Sequence, residues 1–246
     1  MSYNLLKGKK GIIFGALDPN SIAWKTAERV HEEGGEFVLT NAPIAMRMGQ
    51  INELAEKTGS QIIPADATSE EDLQHLVEKS MEILGGKIDF VLHSIGMSVN
   101  VRKGRAYTDQ KYDWTQKGTD VSAMSFHKVM SALYKNDAMN EWGSIVALTY
   151  MAAQRVFPDY NDMADNKAYL ESVARSFGYF FGKYMQIRQL LVRQIKYVIH
   201  LFLWNSQGMS FDLWSNIQKC IVRIILRYFI RRNLSIDNFR KYGSHT

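Results

Sequence analysis

Apolar and polar residues along the first 188 positions alternate between strand-like and helix-like segments. Short apolar runs predict strands at 11–14, 36–40, 61–63, 88–93 and 144–149. Helical periodicity predicts helices at about 21–33, 48–57, 69–84, 120–133 and 160–182. Parallel neighbours in a sheet need a crossover connection, so this alternation predicts a parallel sheet. We therefore expect an α/β fold, a doubly wound parallel sheet in a single domain.

Residues 189–246 do not continue this pattern. Their apolar segments, 195–204 and 220–230, are interrupted by Arg and Lys with a period of neither 2 nor 3.6. Residues 1–188 carry 21 basic and 23 acidic side chains, whereas residues 189–246 carry 9 basic and 2 acidic ones. The net charge of +5 therefore arises in the tail. We predict one domain at 1–188, followed by an atypical basic tail at 189–246.

Composition narrows the class of protein further. Apolar residues make up 46% of the 246 positions and charged residues 22%, which is close to the globular average. Cys220 is the single cysteine, so no intramolecular disulfide is expected, and no His and Cys spacing predicts a metal site. The apolar run at 198–204 is far shorter than a bilayer span. We expect a cytoplasmic protein without a membrane span.

The junction of the first strand and the first helix is a candidate anion site. Gly15 follows the strand, Asp18 and Pro19 form a turn, and Ser21 opens the helix. Backbone N–H groups and the positive end of the helix dipole point at this spot, so a pyrophosphate would bind there. The full G-x-G-x-x-G signature is absent, however, and an ordinary turn capped by Ser21 explains the same residues.

Other strand ends carry polar residues with two interpretations each. Asp66, after the third strand, is either an acceptor for an adenine amino group or a turn residue. His93 ends the fourth strand and by itself is more often a core imidazole than a ligand. The second strand ends in 40–42 without the acid that binds a ribose 2′-hydroxyl, and Arg47 lies nearby. The choice between NADH and NADPH therefore stays open.

Tyr150, Tyr160 and Lys167 are the candidate chemical group. Tyr160 and Lys167 are seven residues apart, which on a continuous helix places them within roughly 20° of one face. A nearby ammonium is expected to lower the phenol's pKa and to make the hydroxyl a better proton donor. The alternative is a solvated helix face. Tyr150 and Tyr160 lie where open α/β sheets place their sites, at a strand end and a helix start.

Taken together in this order, these segments resemble one family. They are Gly15 to Ala23 as G-x5-S-I-A, Asp66, His93-Ser94-Ile95-Gly96, Asp120-x-Ser122-x2-Ser125-Phe126 and Tyr150-x9-Tyr160-x6-Lys167. The chain resembles the NADH-dependent enoyl-acyl-carrier-protein reductases of bacterial type II fatty acid synthesis, a divergent branch of the short-chain dehydrogenase/reductases. The Tyr-x6-Lys spacing is the specific element, because most of that superfamily has Tyr-x3-Lys. The resemblance covers about residues 2–188.

The resemblance implies a Rossmann-type subunit, usually a homotetramer, that reduces the trans-2 double bond of an enoyl chain on acyl carrier protein. Tyr160 would stabilise the enolate oxygen, Lys167 would hold the cofactor ribose, and Tyr150 would line the substrate site. NADH is the implied cofactor, with NADPH left open. The implied cofactor contacts are Gly15, Ser21 and Ile22 at the pyrophosphate, Ala42 at the adenosine ribose, Asp66 and Ala67 at the adenine, and Ile95 at the central portion. Ser98 would contact the acyl chain.

The sequence departs from the family's pattern at Gln189. The family continues with a strand, a Pro-Thr loop for the nicotinamide carboxamide, a mobile helix over the substrate and a final strand, and none of these is found. One hypothesis is translation of the family's C-terminus in the wrong frame, because permitted codons for residues 221–225, read from the third base of each codon, spell Cys-Ala-Asp-Tyr. A smaller departure, Trp24-Lys25, lies on the first helix.

These departures leave three functional hypotheses. The favoured one is the reductase. The alternative is a catalytically impaired nucleotide-binding remnant, since the lid and the carboxamide loop are missing. A third, a basic docking arm for nucleic acid or anionic lipid, is disfavoured because the tail's arginines lack aromatic interleaving on a recognisable nucleic-acid fold.

Overall fold

A parallel sheet forms the centre of the computed structural model, which describes residues 2–47, 49–184, 222–223 and 225–226. Its strands are β1 (Lys10–Phe14), β2 (Glu36–Thr40), β3 (Gln61–Ile62), β4 (Ile88–His93) and β5 (Met139–Ala147). They lie in the order β3-β2-β1-β4-β5, and every neighbouring pair is parallel. The strand order reverses between β1 and β4, and open α/β sheets bind ligands at this switch point. The predicted doubly wound fold is confirmed.

Helices cover both faces of the sheet. They are α1 (Ile22–Glu32), α2 (Pro43–Met46), α3 (Ile51–Thr58), α4 (Glu70–Leu84), α5 (Val99–Arg102), α6 (Tyr112–Thr119), α7 (Ser125–Lys135) and α8 (Asn161–Tyr184). One apolar core joins the sheet to α4, α7 and α8, and the other joins it to α1 and α3. Ile12 belongs to the first core and its neighbour Ile13 to the second, as expected for a strand buried on both faces.

Several element boundaries differ from those predicted. Strands β2 and β4 match, but β5 begins at Met139 instead of Ser144, with Trp142 at φ +67° and a register shift against β4. The predicted helix at 120–133 is a π-helical turn, Asp120–Met124, followed by α7. Helices α2, α5 and α6 were not predicted. They are short, and α6 carries only one buried residue, Gly118, so no apolar stripe marks them.

Part of the tail packs against the core. Val222, Ile225 and Leu226 are helical and are 4%, 0% and 5% exposed, in the same core as α1. Their i, i+3, i+4 spacing places them on one helical face. The predictions for Cys220 and for the rest of the tail fall outside the described residues. Among the residues that are described, no helix is both long and apolar enough to cross a membrane.

Candidate active site

The loop between β1 and α1 requires glycine at position 15. Gly15 has φ +86°, and a Cβ there would lie 2.0 Å from the carbonyl oxygen of Ser94, so the ends of β1 and β4 touch through this position. Ser21 caps α1, since its Oγ accepts from the Trp24 N–H at 3.3 Å and donates to the Asp18 carbonyl at 2.8 Å. The structure therefore contains the turn capped by Ser21 that the sequence predicted. It places the N-terminus of α1, with the partly buried Ile22, at the switch point.

The ends of β2 and β3 carry the predicted adenosine contacts. Asn41 donates to the Ala16 carbonyl at 3.0 Å and holds the end of β2 against the β1 loop, and Ala42 follows it at the start of α2. Asp66 forms a turn, because its Oδ1 accepts from the Thr68 N–H at 2.9 Å and hydroxyl at 2.8 Å. Ala67 is 7% exposed and belongs to the core. These contacts support the turn interpretation of Asp66, and its role toward an adenine stays a prediction.

The π-helical turn at 120–124 holds the end of β4. Ser122 Oγ accepts from the Met97 N–H at 2.8 Å and donates to the Met97 carbonyl at 2.9 Å. Ser125 Oγ lies 3.0 Å from Nε2 of His93 and donates to the Val121 carbonyl at 2.7 Å. Turns of this kind are frequent at functional sites. Both serines belong to the motif Asp120-x-Ser122-x2-Ser125-Phe126, but the sequence alone did not indicate a role for either.

His93 is a core residue. It is fully buried, with its ring 5.2 Å from that of Phe126 and 6.2 Å from that of Phe14. Burial, with a contribution from Lys167, lowers the pKa of His93 to about 3, so the imidazole is neutral at physiological pH. The interpretation of His93 as a core imidazole is confirmed.

Lys167 places a buried ammonium between the ends of β4 and β5. Its Nζ donates to the carbonyls of Leu148 at 2.8 Å and Ile95 at 3.4 Å, and the residue is 6% exposed. Burial lowers the pKa of Lys167 to about 8. A Cβ added to Gly96 would lie 3.6 Å from Nζ, so glycine keeps the backbone beside the ammonium uncovered.

The rings of Tyr150 and Tyr160 pack against each other at an interplanar angle of 53°. Tyr150 is 1% exposed, its ring lies 4.6 Å from that of Tyr160, and its hydroxyl has no hydrogen-bond partner among the described residues. Burial raises the pKa of Tyr150, and burial with the neighbouring Tyr150 raises the pKa of Tyr160 above its ordinary value. The predicted lowering of the Tyr160 pKa by Lys167 is wrong here, because the phenol's burial dominates.

Tyr160 and Lys167 do not share a continuous helix, which corrects the sequence prediction. Tyr160 ends a 3₁₀ turn (Pro158–Tyr160), and Asn161, at φ +43°, separates it from the rest of α8. The two residues nevertheless converge on one segment after β5. The ring of Tyr160 packs against that of Tyr150, and Lys167 donates to the Leu148 carbonyl. Tyr160 and Lys167 therefore both contact the segment 148–150, which follows β5.

Ser98, the predicted acyl-chain contact, is 3% exposed at the N-terminus of α5. Its Oγ donates to Asp162 Oδ1 at 2.5 Å and accepts from the Val101 N–H at 3.0 Å. The hydroxyl is thus used within the protein, and the role of Ser98 toward substrate stays a prediction. Asn161 and Asp162 fall within the predicted helix at 160–182, but no feature of the sequence marked them as site residues.

Comparisons with known proteins place this site in a family. A family model described as enoyl-(acyl carrier protein) reductase matches residues 15–194. Enoyl-[acyl-carrier-protein] reductase [NADH] 1 of Rhizobium meliloti is 34% identical over 171 residues, which are 70% of this chain and 62% of that protein. The reductase FabI of Rickettsia bellii is 33% identical over 177 residues, covering 71% and 66%. The chain thus matches somewhat less than two thirds of these relatives' lengths.

Solved structures of similar proteins agree with the family match. The FabI–NADH complex from Alistipes finegoldii is 60% identical, with 78% of this chain and 67% of that chain covered and a TM-score of 0.74. Another FabI structure from the same organism covers 98% and 97% at 47% identity, with a TM-score of 0.81. The longer match has the lower identity. With the family model matching most of its length, the chain belongs to the enoyl-(acyl carrier protein) reductase family.

Proposed function

We propose that this protein reduces the trans-2 double bond of enoyl-acyl-carrier-protein thioesters with NADH, in fatty acid elongation. The observation that carries the proposal is that Tyr160 contacts Tyr150 while Lys167 donates to the carbonyls that follow β4 and β5, next to the switch point of the sheet. The curated relatives are named as NADH-dependent reductases of this class, and a solved relative holds NADH.

The residues around the switch point fit a dinucleotide. Glycine at position 15 lets the β1 loop lie against Ser94 at the end of β4, the Tyr150 hydroxyl is buried without a partner among the described residues, and Lys167 places a cation beside the open backbone of Gly96. The proposed cofactor contacts are Gly15, Ser21, Ile22, Ala42, Asp66, Ala67, Ile95 and Lys167. NADH, when bound, supplies the hydride for the double bond, and NADPH is the alternative that the end of β2 leaves open.

The protein's own groups would then stabilise the negative charge that develops on the thioester oxygen. The Tyr160 phenol, whose pKa burial raises further, is protonated at neutral pH, so it donates a hydrogen bond to that oxygen. The Lys167 ammonium adds positive charge in a buried setting, where a charge acts more strongly than in water. Tyr150 and Ser98 would line the acyl site.

A surface groove supports assembly of identical subunits. Between α7 and α8 lies a groove of about 590 Å³. Its lining is aromatic, with Tyr134, Tyr169, Phe177 and Phe180 on it. Exposed apolar patches of this kind mark protein interfaces. We propose that the protein is a cytoplasmic homotetramer whose substrate is carried by acyl carrier protein. Light scattering of the full chain measures the oligomeric state.

The alternative function is a nucleotide-binding remnant. The observation in its favour is that the chain matches only 62–66% of the length of two curated relatives. Two assays on the full chain separate the two functions. Titration with NADH, followed by nicotinamide fluorescence, measures binding, and loss of NADH absorbance with a crotonyl thioester measures reduction. Turnover supports the reductase, whereas binding without turnover refutes it and favours the remnant.

A further inference from the structure

Asn161 connects the turn that carries Tyr160 to the helix that carries Lys167, and its backbone conformation is unusual. Its φ is +43° and its ψ is −139°, and the residue is 3% exposed. Residues other than glycine rarely adopt a positive φ, and Asn tolerates it better than most. Such a conformation persists only where the surroundings hold it in place.

The side chain of Asn161 supplies part of that hold. Its Nδ2 donates to the Arg105 carbonyl at 2.7 Å, and its Oδ1 accepts from the N–H of Asp162 at 2.7 Å. The first bond ties the start of α8 to the loop after α5, and the second fixes the first turn of α8. Both hydrogen-bonding ends of the amide are thus used within the protein.

Asp162 provides a second attachment. Its fully buried carboxylate accepts from the Ser98 hydroxyl at 2.5 Å and from Asn100 Nδ2 at 3.2 Å. Asn100 Nδ2 also lies 3.0 Å from the Thr115 hydroxyl, on α6. We name Ser98, Asn100, Asn161 and Asp162 the α8 anchor. It joins α5, α6 and the start of α8 into one buried hydrogen-bonded unit.

The ring of Tyr160 depends on this unit for its position. No described residue hydrogen-bonds the Tyr160 hydroxyl, so the ring is placed by its contact with Tyr150 and by the backbone path through Asn161. If residue 161 relaxed to ordinary helical angles, the turn at 158–160 would swing relative to α8. The phenol would then move while Lys167, held by Leu148 and Ile95, would stay.

We propose that Asn161 and Asp162 are positioning residues, which through the α8 anchor fix the phenol of Tyr160 relative to Tyr150 and Lys167. This inference rests on the proposed enoyl reduction. Neither side chain acts on the substrate, because the hydrogen bonds of both are made within the protein. A misplacement of about 1 Å in a catalytic group can cost about 100-fold in rate, which sets the expected effect.

A double-mutant cycle on the full chain tests the proposal. Asn161→Ala is expected to lower kcat about 100-fold, with KM for the thioester and Kd for NADH within about threefold. In a Tyr160→Phe background the same change is expected to cost less than about threefold, because the group it positions is gone. Equal losses in both backgrounds would indicate a structural role and overturn the proposal. Asn140→Ala, which also removes a bond to a backbone carbonyl, is the matched control.

Ring-labelled tyrosine provides a second readout that needs no turnover. The nuclear Overhauser contact between Tyr150 and Tyr160 is expected to disappear in Asn161→Ala and to persist in Asn140→Ala. Both spectra are recorded at the same interval below each variant's melting temperature. Its persistence in Asn161→Ala would refute positioning. If the parent chain lacks turnover but Asn161→Ala still loses the contact, positioning is supported and the reductase function is refuted. Should Asn161→Ala fail to fold, Asn161→Gly keeps the positive φ and removes the same amide.

Discussion

Replacing Lys167 by Met is expected to stabilise the fold at neutral pH. Burial lowers the pKa of this lysine from 10.5 to about 8, and each unit corresponds to about 1.4 kcal/mol. Holding the ammonium charged in the folded state therefore costs about 3 kcal/mol below pH 8. Met removes that cost but leaves the Leu148 and Ile95 carbonyls without this donor, at about 1 kcal/mol each. We expect a net gain of about 1 kcal/mol at pH 7.

The pH dependence of this difference gives the sharper test. Between pH 8 and 10.5 the unfolded chain binds more protons at this lysine than the folded chain does, so the parent gains stability as pH rises through that window. Below pH 8 both states are protonated and the cost is fully present. The stability advantage of Lys167→Met should therefore shrink, and then reverse, as pH rises from 8 to 10.5.

Urea unfolding of both proteins across this pH range measures the effect. Lys103→Met, at an exposed lysine, is the control and should change the free energy of unfolding by less than about 0.5 kcal/mol. If Lys167→Met were less stable than the parent at pH 7, or if its advantage did not vary with pH, the reasoning from burial would fail. The same variant should lose enoyl reduction, since the ammonium is gone.

Other changes test separate parts of the site. Tyr160→Phe should lower kcat by about 100-fold or more and leave NADH binding unchanged, as single-turnover kinetics and fluorescence titration will measure; undiminished turnover would contradict its role. Gly15→Ala should lower the melting temperature and weaken NADH binding, because the methyl group would lie 2.0 Å from the Ser94 oxygen. Ser122→Ala should destabilise the fold by about 1–3 kcal/mol in urea, since the Met97 N–H and carbonyl lose their partner. Sequencing the coding DNA tests the reading-frame hypothesis, and codons at 221–225 that cannot spell Cys-Ala-Asp-Tyr in the shifted frame would refute it.

Local signals in the sequence were sufficient for most of the fold. β2 and β4 were predicted with their observed bounds because each is a short apolar run bounded by polar residues. The Ser21 cap was predicted because N-caps depend only on adjacent residues. The extension of β5 to Met139 was missed, because Trp142 there adopts φ +67°, which interrupts the strand pattern.

The site was only partly predictable. The spacing of Tyr160 and Lys167 indicated that they act together, but it did not indicate the turn at Asn161 between them. The direction of the Tyr160 pKa depends on how deeply the phenol is buried, and burial results from packing across distant segments. The α8 anchor joins residues more than 60 positions apart, so no local pattern shows it.

The π-helical turn at 120–124 determines which side of α7 faces the sheet. A π-helical turn holds one residue more than ordinary winding does. Removing one residue there would restore regular winding and rotate α7 by about 100°. Ser122 would still face Met97, but Ser125 would leave His93 and the apolar side of α7 would turn from the sheet. Single-residue deletions are therefore far less tolerable in this stretch than the substitution of any one side chain in it.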